Sequence, residues 1–294
     1  MHEHSFTYVV VGATGAVGKV VADLLSRQGH QVRPVSRRTG ISLDDPAAMV
    51  EAFHGADGAF LMIPFDQHAH DLHRREEAMA ATLAHAVEKA ALRRVVLLSG
   101  TSVRIGTNIG SGTGAAIAER HLDGLDIPER VYLRGGFFME NHLNLSFVDQ
   151  AATGLYATPF RPDFATPMIA AADIGRVAAG ALTESTFTQP RVRELLGAQD
   201  YTMVEATRIL GTAIGRPDLR YLQIPFEMAQ RDMLAAGMSA SFIDAVLETA
   251  RTFNDGIPWA GEARSESNTT PTTLTEFANQ IVRPLYERVH TTRP

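Results

Sequence analysis

The residues best suited to chemistry come early, in Gly12-Ala13-Thr14-Gly15-Ala16-Val17-Gly18. Glycine permits a sharp turn with positive φ, and a missing side chain lets a bound group touch the main chain. A loop of this kind between a strand and a helix leaves the helix N-terminus with free N–H donors and a partial positive charge, which suits a pyrophosphate. Gly12, Gly15 and Gly18, with Thr14, Ala16 and Val17 between them, are therefore candidate dinucleotide contacts. Gly18 also lets the helix approach the sheet. A second group is Ser36-Arg37-Arg38, at the end of the next strand. NAD-selective proteins usually put an acidic residue there, on the ribose hydroxyls. A guanidinium pairs instead with a 2′-phosphate and stacks on adenine, so Ser36, Arg37 and Arg38 point to NADPH over NAD.

Other groups are weaker signals. In His68-Ala69-His70-Asp71-Leu72-His73, His70 and His73 stand one helical turn apart and could face one ion. The segment reads more simply as a polar helix start with solvated histidines, and no metal is expected. Thr101 and Ser102 carry hydroxyls that could hold a substrate carbonyl or cap a turn. Phe137 and Phe138 follow the fifth strand and serve equally as pocket wall or core. Trp259, the sole tryptophan, lies among Pro and Gly. Tyr132 sits mid-strand and reads as core.

These groups need a scaffold, and the hydrophobic pattern supplies one. Phe6 to Val11 reads as a strand buried on both faces, followed by the glycine loop and a helix over Lys19 to Gln28. Gln31 to Ser36 is a second strand, and Asp45-Pro46 opens a helix with Asp at the cap. Ala59 to Ile63, Val95 to Ser99 and Arg130 to Arg134 are further strands. They are separated by helices over Asp71 to Ala90 and about Gly114 to Leu122. Such alternation implies an α/β, doubly wound parallel sheet with right-handed crossovers. The alternation fades after about Asn144. The expected division is a Rossmann domain over 1–153 and a smaller, discontinuous C-terminal substrate lobe over 154–294. Segments near 167–198, including Met168-Ile169 and Val192 to Leu196, return to the sheet. Pro271 to Val289 closes the chain as a helix.

Composition narrows the function. The 294 residues are 45% hydrophobic, enough for a sizeable core, and the net charge is −6. A mildly acidic chain without a basic run is a poor binder of nucleic acid. There are no cysteines, which excludes disulfides, thiolate metal sites and cysteine nucleophiles. No apolar stretch approaches the ~20 residues of a membrane span, and the start lacks a signal-peptide pattern. A soluble, cytoplasmic protein is expected, with no membrane or nucleic-acid partner.

Many short segments together resemble the NmrA-like group of atypical short-chain dehydrogenases/reductases. They include the glycine loop, Val32 to Arg37, Leu43-Asp44-Asp45-Pro46, Val96 to Gly100, Ala118 to Leu122 and Leu133 to Asn141. Ala172-Asp173-Ile174, Glu194 to Gly197 and Pro271 to Ala278 continue the likeness, so it spans nearly the whole chain. The resemblance implies a Rossmann domain with a small substrate lobe. Members include NAD(P)H-dependent reductases of quinones, dyes and similar molecules, and dinucleotide-sensing regulators. It places Ile63, Pro64, Ser99 and Gly100 beside the nicotinamide, with Phe65, Thr101, Phe137, Phe138 and Asn141 as candidate substrate contacts.

Two departures stand out. The segment from Arg38 to Leu43 is shorter than in many relatives. The Tyr-x-x-x-Lys pair of the usual short-chain dehydrogenase mechanism is missing, with Ser111 and Ala115 at the matching positions. Proton delivery must then come from water, another side chain or the substrate. The expected function is NADPH-dependent reduction of a small, apolar carbonyl, quinone or imine-like compound. The alternative is a non-catalytic redox sensor that regulates a partner protein. A homo-oligomer is compatible with either.

Overall fold

The computed structural model describes residues 5–106, 109–144, 146–257 and 260–291. Along the chain, β1 (Thr7–Val11) leads through α1 (Ala16–Arg27), β2 (Gln31–Val35), α2 (Pro46–Phe53), β3 (Gly58–Leu61), α3 (Leu72–Lys89), β4 (Arg94–Gly100) and α4 (Thr113–Asp123) to β5 (Glu129–Gly135). Next come β6 (Phe137–Phe138), α5 (Asn141–Asn144), α6 (Phe147–Ala151), β7 (Leu155–Thr158), β8 (Thr166–Ile169), α7 (Ala171–Thr183) and β9 (Val192–Leu195). The remainder holds β10 (Asp200–Tyr201), α8 (Met203–Ala213), β11 (Arg220–Gln223), α9 (Phe226–Ala235), α10 (Ala240–Asn254), α11 (Leu274–Phe277) and α12 (Arg283–Thr291).

Six strands form the central sheet in the order β2-β1-β3-β4-β5-β9, all parallel. Helices cover both faces, as the alternation predicted. On one side Met49 and Phe53 of α2, Met79 and Leu83 of α3 and Leu122 of α4 pack on the strands. On the other, Val17, Val21 and Leu25 of α1 meet Ile174 and Ala178 of α7. Side-chain caps set where two of these helices begin. Asp45 accepts from the Ala48 N–H at 3.0 Å, with Pro46 in the first turn of α2. Asp71 accepts from the Arg74 N–H at 3.0 Å, so it caps α3 rather than lying in its first turn.

The chain runs outward from β1 to β2, then returns to place β3 on the other flank of β1. Ligands of open α/β sheets bind where the winding reverses in this way. The glycine loop leaves β1 at that point.

Two expectations need correction. Val192 to Leu195 does return to the central sheet, beside β5, but Met168-Ile169 does not. These residues belong to β8, which pairs with β6 and β10 in a separate three-stranded sheet. The reason is that β9 already occupies the edge of β5, from Tyr132↔Val192 to Gly135↔Leu195. The closing helix spans Leu274 to Thr291, but it widens into a π turn over Ala278–Val282. Pro284 follows one residue later, after Arg283, and its ring nitrogen cannot donate the i→i−4 bond of a regular helix.

A second core unites β6, β7 and β8 with the C-terminal helices, through Phe137, Phe147, Tyr156, Phe160, Phe253 and Phe277. No helix among the described residues is long and apolar enough to cross a membrane. His142 is fully buried in this core, its Nδ1 3.0 Å from the Tyr156 hydroxyl, and burial pulls its pKa down to about 4. An unfolded histidine titrates near ~6.5. Below that pH the unfolded chain takes up the proton first. Stability from this group is therefore complete above about pH 6.5 and falls toward pH 4, by roughly 3 kcal/mol in all. Urea unfolding between pH 7 and pH 4.5, near the range set by those two values, should show a smaller loss in His142→Gln than in the parent. Parallel curves would show that His142 is not the titrating group.

Candidate functional site

The loop after β1 separates three glycines by role. Gly12 has φ +73°, and its N–H donates to the Val35 carbonyl of β2 at 2.9 Å. A Cβ on Gly12 would lie 2.6 Å from the sulfur of Met62, just past β3. Gly12 is thus wedged between the ends of the two strands that flank β1. A Cβ on Gly18 would lie 2.2 Å from the Gly12 carbonyl oxygen, so loop and helix touch there. Gly15 differs: it is the exposed N-cap of α1, at φ −83°, and its nearest neighbour would be the Gly12 oxygen at 3.3 Å. Thr14 and Ala16 beside it are exposed, and Val17 is buried beneath. No side chain caps α1. An uncapped first turn with free N–H groups and a bare glycine in front is a cradle for a pyrophosphate, and a dinucleotide fits these residues.

On the β2 side, Ser36 and Thr39 clasp each other. The Ser36 N–H donates to Thr39 Oγ1 at 2.9 Å, and the Thr39 N–H donates to Ser36 Oγ at 3.2 Å. This clasp holds a 3₁₀ turn over Arg37–Thr39 with Arg37 and Arg38 exposed. The short Arg38–Leu43 segment then leads to α2 with no further strand, which leaves β2 at the edge of the sheet. Pro34 is tolerated there because an edge strand can spare an N–H.

The ends of β3, β4 and β5 hold the remaining candidates. Ile63 and Pro64 are half-buried, while Phe65 is exposed and meets Phe242 of α10 edge-on, ring centres 6.4 Å apart. Ser99 points away from the strand ends: its hydroxyl donates to Glu119 Oε1 of α4 at 2.6 Å. Arg134 of β5 binds the same carboxylate, Nε to Oε1 at 2.9 Å and Nη2 to Oε2 at 2.5 Å. Gly100 ends β4 and is followed by Thr101, which is buried with its hydroxyl unpartnered. Ser102 folds back on Gly112, where a Cβ would meet its hydroxyl at 2.3 Å. Phe137 is turned into the lobe core against Phe160 and His142. Phe138 is half-buried on the β5 side, against Gly135, and Asn141 is half-buried at the start of α5. Neighbouring Glu140 accepts from the Ala171 N–H at 3.1 Å, and burial holds its carboxyl above the usual range.

The histidine segment is not simply solvated. His70 is exposed ahead of α3, but His73 in its first turn lies with Nδ1 2.8 Å from Glu76 Oε2. Glu76 is buried, its Oε1 has no partner, and burial raises its pKa. The i, i+3 spacing of His73 and Glu76 was the sequence signal for this pair. Among the described residues no three His, Asp or Glu side chains converge as metal ligands. Ser111 is occupied, its hydroxyl 2.9 Å from Thr249 Oγ1 of α10. Tyr132 donates to Asp123, and Tyr156 is enclosed beside His142. Trp259 lies outside the described residues. A recess of about 490 Å³ between α8 and the C-terminal helices, lined in part by Arg208, Thr275 and Arg283, holds none of the candidate residues.

Comparison with known proteins agrees with this architecture. The model of the NAD dependent epimerase/dehydratase family matches residues 8–109, and that of the NmrA-like family matches residues 115–278. An uncharacterized oxidoreductase, YesF, of Bacillus subtilis is 24% identical over 284 residues, covering 92% of this chain and 93% of its own. The NAD(P)H azoreductase of Xenophilus azovorans is 26% identical over 264 residues, 82% of this chain and 85% of its own. Among solved structures, the triphenylmethane reductase of Citrobacter sp. in complex with NADP(H) superposes with a TM-score of 0.71 at 18% identity. That match covers 94% of this chain and 99% of the reductase. With the family match spanning more than half of its length and the Rossmann sheet in place, the chain belongs to the NmrA-like family.

Proposed function

We propose that this protein is an NAD(P)H-dependent oxidoreductase that prefers NADPH and reduces a small, apolar carbonyl, quinone or imine-like acceptor. The observation that carries the reading is the uncapped N-terminus of α1, fronted by exposed Gly15 at the sheet's winding reversal, with two exposed arginines at the neighbouring strand end. The azoreductase and triphenylmethane reductase among its relatives support the reaction class. In this reading the first-turn amides of α1 and the bare edge of Gly15 hold the pyrophosphate. Arg37, with Arg38, takes the 2′-phosphate. A bound reduced nicotinamide supplies hydride. The chain's part is orientation and exclusion of water: Ile63 and Pro64 line the strand ends, and the Phe65–Phe242 contact joins that edge to α10.

Calorimetry and dinucleotide oxidation with quinone and azo acceptors test the proposal together. NADPH should bind more tightly than NADH, and Arg37→Ala should remove most of the difference. A charge-assisted phosphate contact is worth ~1.5–3 kcal/mol, or roughly tenfold and upward in affinity. Equal affinities in the parent protein would refute the NADPH preference. Tight NADPH binding without turnover on any acceptor would refute the reductase reading and favour a dinucleotide sensor.

A further inference from the structure

A recess of about 340 Å³ lies between the start of α3 and α10, lined by His73, Ser241, Asp244, Ala245, Glu248 and Arg251. It stands at the ligand-binding edge of the sheet, because α3 follows β3 and such helices begin at the strands' carboxyl ends. The segment after β4 is tied to the same wall: the Gly110 N–H donates to Glu248 at 3.0 Å, and the Ser111 N–H to Thr249 Oγ1 at 2.9 Å. His73 is the residue with usable acid–base chemistry here. Its ring is 42% exposed, whereas its partner Glu76 is 1% exposed. Glu76 in turn packs on the start of α4, where a Cβ on Gly114 would fall 2.7 Å from its carboxyl group. A buried carboxylate that accepts from Nδ1–H fixes both the ring's orientation and its tautomer, and leaves Nε2 for the open side.

We propose that His73, oriented by Glu76, delivers the proton that accompanies hydride transfer to the acceptor; this rests on the reductase reading above. Hydride from the reduced nicotinamide adds to one atom of a C=O, C=N or N=N bond. The π electrons move to the other atom, the oxygen or nitrogen. That atom forms a bond to the proton as the imidazolium Nε2–H bond breaks, leaving neutral His73. Water restores the proton through the exposed side of the ring. Glu76 is a positioning residue, and Asp244, Glu248 and Arg251 of α10 are the other charged groups that line the recess. Among the described candidates, Ser111 is bonded to Thr249, Ser99 to Glu119, Tyr156 is enclosed in the lobe core, and the unpartnered Thr101 hydroxyl is buried, whereas the His73 ring is partly exposed.

The test compares the parent with His73→Gln and Glu76→Gln. Nitrogen-15 NMR of the imidazole rings, without cofactor, should show, besides His68, whose Nδ1 faces the Gly237 carbonyl at 3.1 Å, a further ring held with its proton on Nδ1. That signal should vanish in His73→Gln and lose its tautomer preference in Glu76→Gln. Turnover of an azo acceptor should fall roughly 10²-fold in His73→Gln, within the usual range for general acid catalysis. Turnover of a cationic iminium acceptor should hold, because hydride addition to it creates no anion. NADPH affinity should be unchanged. Equal rates of parent and His73→Gln on the azo acceptor would overturn the proton-donor role alone. So would equal losses on both acceptors, which mark a structural role. A parent protein inactive on every acceptor would overturn the reductase reading and this role with it. Absence of the Nδ1–H tautomer at His73 would overturn the positioning by Glu76.

Discussion

Gly15→Val should abolish measurable dinucleotide binding in a protein that still folds. The backbone at Gly15 has φ −83°, which any L-residue adopts, and the closest atom to a new Cβ is the Gly12 oxygen at 3.3 Å. Valine is a poor N-cap, so a stability loss of ~1 kcal/mol is expected, with the sheet intact. The branched methyls would occupy the space in front of the α1 amides. Losing two charge-assisted hydrogen bonds costs about 3–6 kcal/mol, a drop in affinity of roughly a hundredfold or more. Gly18→Ala supplies the contrast. Its Cβ would sit 2.2 Å from the Gly12 carbonyl, so its main effect should be on stability. Thermal unfolding together with cofactor fluorescence separates the two variants. Undiminished binding by Gly15→Val would show that the phosphates lie elsewhere.

Glu119→Ala should cost about 3–5 kcal/mol of stability, the usual result of breaking a buried ion pair from one side. The Glu119 and Arg134 side chains are only 9% and 17% exposed, and the carboxylate also accepts from Ser99. Pairing with Glu119 raises the Arg134 pKa, and the guanidinium stays charged without that partner too, because arginine is protonated at any ordinary pH. Removing the carboxylate strands that charge and frees the Ser99 hydroxyl at the end of β4. Glu194 of β9 also attracts Arg134, which places the loss toward the lower end of the range. Urea unfolding measures it. Combining Glu119→Leu with Arg134→Met should recover much of the stability, since an apolar pair leaves no charge unmatched. A single-variant loss below about 1 kcal/mol would mean that water reaches the site and screens the charge.

The sequence by itself determined the central sheet and the glycine loop, because both are written in short stretches of chain. A run such as Tyr8-Val9-Val10-Val11 has one way to be buried on both faces, and glycines after it mark a turn whatever lies elsewhere. The five early strands accordingly fall within about two residues of where the pattern puts them. The exposed arginines after β2 were legible for the same local reason. Tertiary structure decided the rest. Only the meeting of β2, β3 and α1 shows that Gly12 and Gly18 are needed for packing while Gly15 faces outward. The hydroxyl of Ser99 stands at the ligand-binding edge in sequence terms, yet Glu119 on α4 claims it. Met168-Ile169 has the character of a central strand, but β9 holds that edge and sends it to another sheet. His73 looks solvated until α10, far along the chain, folds over it and makes the recess it lines. Those outcomes turn on which distant elements compete for the same edge or cover the same face, and residue periodicity carries no record of that competition.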